Sequence, residues 1–111
     1  MSEQSLGTLE ETALIIVLMK DQSYGVEIVQ IYERHMEQSI SLPAIHIVLK
    51  RLQKKGLVKS SFGESTPERG GKRKRYYQGT PYGYRVIAEI QERRNQMWSL
   101  VPKNSFHYGL L

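Results

Sequence analysis

The run SLPAIHIVLKRLQKKGLV, Ser41 to Val58, reads as a helix that stops sharply and passes straight into a strand. Ser41 has the short hydroxyl side chain that caps a helix start, and Pro43 falls in the first turn, where a missing N–H costs nothing. Ile45, Val48, Leu49 and Leu52 follow at i, i+3, i+4 and i+7, one apolar stripe on a helix of about 42–55. Gly56 is the expected left-handed stop. The opposite side carries Pro43, His46, Ile47, Lys50 and Lys54, with Arg51 at its edge. Ile47 is the odd member there, an aliphatic residue on an otherwise polar and basic face. An apolar spine behind a basic outer face is what a helix needs to enter the major groove of DNA.

Downstream, Leu57 to Phe62 reads as a strand and Arg73 to Gln78 as its partner. The turn-forming run from Gly63 to Gly71 joins them. A hairpin with a glycine-rich tip directly after two packed helices makes a wing. Its tip and second strand hold the densest charge in the chain, Lys72-Arg73-Lys74-Arg75, with Arg69 before it and Tyr76-Tyr77 after. Two basic elements on one side of a small domain neutralise phosphates and release counterions. Contacts of this kind position a protein on the duplex, while the helix reads bases. Thr80 then caps a last helix with Pro81 in its first turn, running to about Leu100. Val86, Ile90, Met97 and Val101 recur on it at near coiled-coil spacing, interrupted by Arg93-Arg94.

Upstream, Thr8 with Glu11 three residues on suggests a capped first helix of about 8–20, and Ser23 caps a second of about 24–36. The stretch from Ala13 to Met19 is apolar nearly all round, so the first helix must be covered on most sides, by the core or by a second subunit.

A chain of 111 residues allows one domain with a modest core and leaves no room for a separate catalytic domain. Sixteen Lys+Arg against 11 Asp+Glu give +5, with a pI near 9.6, a balance that suits a polyanionic partner. There is no Cys, which excludes disulfides and thiolate metal sites. The polar start and the short apolar runs point to a cytoplasmic protein with no membrane partner. His35 and His46 lack a second ligand at metal spacing, and no nucleophile has an evident partner. The expectation is therefore no enzyme, no metal and no cofactor. The single tryptophan, Trp98, stands beside Met97 near the end of the last helix, as interface packing or as a wall of a small aromatic ligand's site.

These segments together resemble the short form of the PadR family of transcriptional regulators, from about Leu6 to Ile87. The resemblance is carried by Leu6-Gly7 with Leu9-Glu10, by Tyr24-Gly25-Val26-Glu27-Ile28, and by the run from Ser41 to Val58 quoted above. Thr66-Pro67-Glu68-Arg69-Gly70-Gly71 leading into the basic run, and Thr80-Pro81 with Gly83, complete it. It implies a winged-helix dimer whose last helix crosses to the partner and which represses an adjacent gene. Three places depart from the family's pattern. His46 stands where Tyr is common, Pro43 replaces a small residue, and Gly79 replaces an apolar anchor of the second strand, which implies a looser wing.

The expected fold is mainly α with a small β-hairpin. A winged helix-turn-helix domain would occupy residues 1–80, with its wing at 57–79, followed by a dimerisation helix at 81–101 and a tail at 102–111. Expected DNA contacts are Ser41, Pro43, Ala44, His46, Ile47, Lys50 and Arg51 on the reading helix. Tyr24, Arg69, Lys72, Arg73, Lys74 and Arg75 would hold phosphates. Leu14, Val17, Leu18, Val86, Ile90, Met97 and Val101 would form a homodimer interface, and Trp98 and Met97 a site for a small aromatic effector. The rival reading is a winged-helix module that binds an acidic protein partner.

Overall fold

The structure, a computed structural model, describes residues 5–65 and 73–103. In chain order the elements are α1 (Thr8–Val17), β1 (Ser23–Tyr24), α2 (Gly25–Met36), α3 (Leu42–Lys54), β2 (Val58–Ser65), β3 (Arg73–Gly79) and α4 (Pro81–Ser99). The strands form one antiparallel sheet in the order β1-β3-β2. The fold is mainly α with a small β wing.

α3 is built as its sequence dictates. The Ser41 hydroxyl accepts from the Ala44 N–H at 3.2 Å, and Ile45, Val48, Leu49 and Leu52 are all buried. Gly56 adopts φ +79°. The Gly56 N–H donates to the Gln53 carbonyl at 3.0 Å, and the Leu57 N–H to the Leu52 carbonyl at 2.9 Å. That pair of bonds closes the helix and reverses the chain, delivering Leu57 and Val58 to the core at the start of β2. Thr80 locks the next junction. Its hydroxyl donates to the Gly56 carbonyl at 2.8 Å and accepts from the Gly83 N–H at 2.9 Å. A Cβ on Gly83 would lie 2.1 Å from the Leu57 carbonyl oxygen, so only glycine lets α4 begin against this turn.

Several expectations are corrected. The cap of α1 sits one residue earlier, at Gly7, whose N–H donates to Glu10 Oε1 at 2.9 Å. The helix ends at Val17 rather than near residue 20. Ser23 does not cap α2. It is wholly buried and pairs with Tyr77 as a third strand, while the Tyr24 N–H donates to Glu27 Oε1 at 3.1 Å in the capping role.

α1 packs against α2, α3, α4 and β3, and together they cover Ala13, Leu14, Ile16 and Val17. Leu14, Val17 and Val86 therefore belong to the core of one subunit and offer no area to a partner, which corrects their assignment to a dimer interface. Gly79 leaves no gap in the wing: a Cβ there would meet Leu18 Cδ2 at 2.3 Å, because the Leu18 side chain fills the place an apolar anchor would take. The first half of α4 joins the core through Val86, Ile87 and Ile90, whereas every residue from Glu92 to Leu100 is exposed.

Candidate nucleic-acid interface

The outer side of α3 is open. Ser41, Pro43, His46, Ile47, Lys50, Arg51 and Lys54 are exposed and Ala44 is half-buried. Between this helix and β3 runs a groove of about 740 Å³, lined by His46, Lys50, Gln53, Lys54, Arg75 and Tyr77. Ser60 Oγ donates to Gln53 Oε1 at 3.1 Å, fixing β2 to the helix. At the other end a Cβ on Gly25 would stand 2.7 Å from His46 Nε2, so the start of α2 is shaped to let the imidazole lie over it.

Strand alternation divides the basic run. Successive side chains on a strand point to opposite faces, and here Arg73 and Arg75 flank the Phe62 ring, with guanidinium carbons 5.2 and 4.6 Å from its centroid. Arg73 Nε also donates to the Gly63 carbonyl at 3.0 Å. Lys74 turns the other way. Its ammonium lies 3.8 Å from the centroid of the Tyr24 ring, which meets Tyr76 edge-on at 6.0 Å. The structure thus brings Arg75 together with His46, Lys50 and Lys54, keeps Arg73 beside Arg75, and groups Lys74 with Tyr24 on the opposite face. Arg69 and Lys72 lie outside the described residues.

Two acidic residues order this frame. Burial pushes the Glu27 carboxyl up, but the Lys20 ammonium at 2.7 Å, the Tyr24 N–H and the nearby charge of Lys74 outweigh it and hold it below the usual carboxylate range. Burial likewise pushes Glu10 up. The Gly7 N–H, the Lys55 ammonium at 2.9 Å and the charge of Arg51 prevail there too, and its carboxyl is also lowered. Lys55 donates in addition to the Ser5 carbonyl at 3.3 Å, so it ties the end of α3 to the chain ahead of α1.

A second groove, also about 740 Å³, lies between the start of α1 and the far half of α4, with Leu6, Glu11, Arg94, Met97, Trp98 and Val101 among its lining. Glu11 is only 5% exposed and takes both arms of the Arg94 guanidinium, Nη1 on Oε1 and Nη2 on Oε2 at 2.8 Å. Met97 and Trp98 are 69% and 64% exposed beside it. On the other side of α4, Ile15, Leu18, Met19, Tyr84, Ile87 and Ala88 line an apolar groove of about 460 Å³. Sequence reasoning missed the Glu11–Arg94, Glu10–Lys55 and Tyr24–Lys74 pairs. Each joins residues 45 or more positions apart, which local patterning does not encode. Among the described residues no group of three or more His, Asp or Glu could hold a metal, and no helix is long and apolar enough to cross a membrane.

A capped helix with an exposed basic side, backed by a three-stranded sheet whose hairpin extends beside it, defines a winged helix-turn-helix protein. The chain belongs to the PadR-like family of transcriptional regulators, whose sequence model matches residues 14–89. A PadR-like transcription factor from Bacteroides fragilis superposes with a TM-score of 0.74 at 20% identity, covering 84% of this chain and 85% of that one. A PadR-like regulator from Bacillus cereus gives 0.68 at 25% identity, with coverage of 84% and 86%. PadR of Bacillus subtilis, solved with operator DNA, gives 0.64 at 16% identity, covering 87% of this chain and 53% of that one. No curated protein sequence matches the chain.

Proposed function

We propose that the chain is a sequence-specific repressor that binds double-stranded DNA as a homodimer and leaves it when a small planar aromatic compound binds beside Trp98. One observation carries the reading. Lys50, Lys54 and His46 of the exposed helix and Arg75 of the wing line a single groove, so one stretch of duplex can meet helix and wing together. The operator DNA bound by the Bacillus subtilis relative supports it. Regulation in this reading is by binding alone, with no chemistry on the DNA.

The dimer rests on α4. Met97, Trp98 and Leu100, at 69%, 64% and 77% exposure, form an apolar end on a helix that leaves its own subunit. The groove at Ile15, Leu18 and Met19 offers a matching surface. Exposed apolar area of this kind, on a small chain, marks an interaction site. Leu18, Met97 and Val101 remain as interface residues once the core members, Ile90 among them, are removed. Trp98, with Met97 beside it and Arg94 within reach, suits a flat aromatic ligand.

The test is a selection of genomic duplexes by purified protein, followed by footprinting. The expected result is a two-fold symmetric site with half-sites roughly 34 Å, one DNA turn, apart. Protein capture that survives nuclease, with no duplex protected, would replace this reading with that of a module for an acidic partner.

A further inference from the structure

The exposed surface of α3 changes character along its length. Its buried side is complete with Ile45, Val48, Leu49 and Leu52, so Ile47 has no place in the core and stands 55% exposed. Residues three and four positions away share its face. Before it these are Pro43 and Ala44, and after it Lys50 and Arg51. The first turns therefore present an apolar patch and the last turns present cations. At the apolar end the Ser41 oxygen is engaged as the helix cap, and the His46 ring lies to one side, over Gly25.

In a helix-turn-helix complex the first residues of the reading helix reach the base edges, and cations further along meet phosphates. An aliphatic side chain at a base edge offers no hydrogen bond. Against guanine, adenine or cytosine it would cover donors or acceptors and leave them unpaired, which is costly. Thymine alone presents an apolar group in the major groove, its 5-methyl. Resting on the proposed DNA-reading role of α3, we infer that Ile47 determines specificity by packing on a thymine methyl, so that each half-site requires thymine at one position. Pro43 and Ala44 wall the same methyl pocket. A single exposed isoleucine is ordinary on a protein surface. This one is set apart by its place on the reading face, between a cap and a row of cations.

The test uses the full chain and a duplex recovered by the selection described above. Each symmetric pair of dT is replaced in turn by dU, which removes only the methyl, and binding is followed by fluorescence anisotropy. At about 0.8 kcal/mol per buried methyl-sized group, one pair of positions should lose about fourfold per half-site, or about 15-fold for the symmetric pair. All other pairs should change little. Ile47→Ala, an exposed substitution that leaves the core intact, should bind the parent duplex more weakly and discriminate dT from dU less than about twofold at that pair. Uniform tolerance of dU by the unaltered protein overturns the inference while leaving the DNA-binding role standing, as does a dU penalty that persists in Ile47→Ala. If no duplex is recovered at all, the role of α3 itself fails, and the inference with it.

Discussion

Arg75 and Lys74 are neighbours in sequence with the same charge, and the fold gives them different work. Arg75 lines the groove shared with Lys50 and Lys54, whereas Lys74 sits on the Tyr24 ring on the opposite face of the wing. A dimer that presents Arg51, Lys54, Arg73 and Arg75 from each subunit would neutralise roughly 6–10 phosphates. Affinity should then fall by about 10³ to 10⁵ between roughly 50 and 200 mM salt. Arg75→Gln removes one contact per subunit. At about 0.9 in the log–log slope per phosphate, the slope should flatten by about 1.8 for the dimer. Across the same fourfold range of salt this makes the loss of affinity about 12-fold smaller. Lys74→Gln should leave the slope near that of the parent protein. The assay is anisotropy with one labelled duplex at several salt concentrations. Equal flattening by both variants would refute the division of the wing into two faces, and a flat dependence in the unaltered protein would refute phosphate contact altogether.

Lys50→Ala should shift which sequence a selection recovers, whereas Arg73→Ala should weaken all sequences alike; identical effects would refute the separation of base-reading from backbone contacts. Gly83→Ala sets about 1 kcal/mol of better helix propensity against a Cβ 2.1 Å from the Leu57 carbonyl oxygen. Overpacking of that kind costs roughly 1–3 kcal/mol or more, so Tm should fall by several degrees, and an unchanged Tm would show that the junction yields. The Glu10 carboxyl is lowered from its ordinary value of 4.5, so its pairing stabilises the fold fully above that pH and is lost as pH falls through the lower folded value. Lys55→Met should accordingly cost roughly 1 kcal/mol near neutrality, with the gap in Tm closing in acid; a gap that persists there would assign Lys55 a packing role. Ser23 is buried with no hydrogen-bond partner for its hydroxyl among the described residues, so Ser23→Ala should hold or raise thermal stability. A clear drop would reveal a partner.

What the sequence showed and what it hid differ by range of interaction. The reading helix was legible because its cap, spine and stop are all local: Ser41, the stripe at Ile45, Val48, Leu49 and Leu52, and Gly56 each act within a turn. The start of α1 was placed one residue late for a non-local reason. Glu10 and Glu11 both stand at capping distance from a plausible first residue, Gly7 or Thr8. Glu11 is drawn instead to Arg94, 83 positions away, leaving Glu10 to bond the Gly7 N–H. β1 could not be found by pattern, since two residues have no period. Ser23 and Tyr24 are a strand only because β3 lies beside them.

The candidate site shows the same boundary. The wing's charge was plain in the sequence, and strand alternation alone would have separated Arg73 and Arg75 from Lys74; what it could not supply was which face turns toward α3. Tyr77, buried on the same side as Arg75, lines with it the groove facing α3, which leaves Lys74 to Tyr24. For α1 the apolar circumference had two physical solutions, a second subunit or the subunit's own elements, and the structure takes the second for Leu14 and Val17. In the proposed dimer the demand for a partner therefore moves from the first helix to the far end of α4. There Met97 and Trp98 stand past the Arg94–Glu11 pair, largely exposed, so the proposed dimer would rest on the arm that the pair orients.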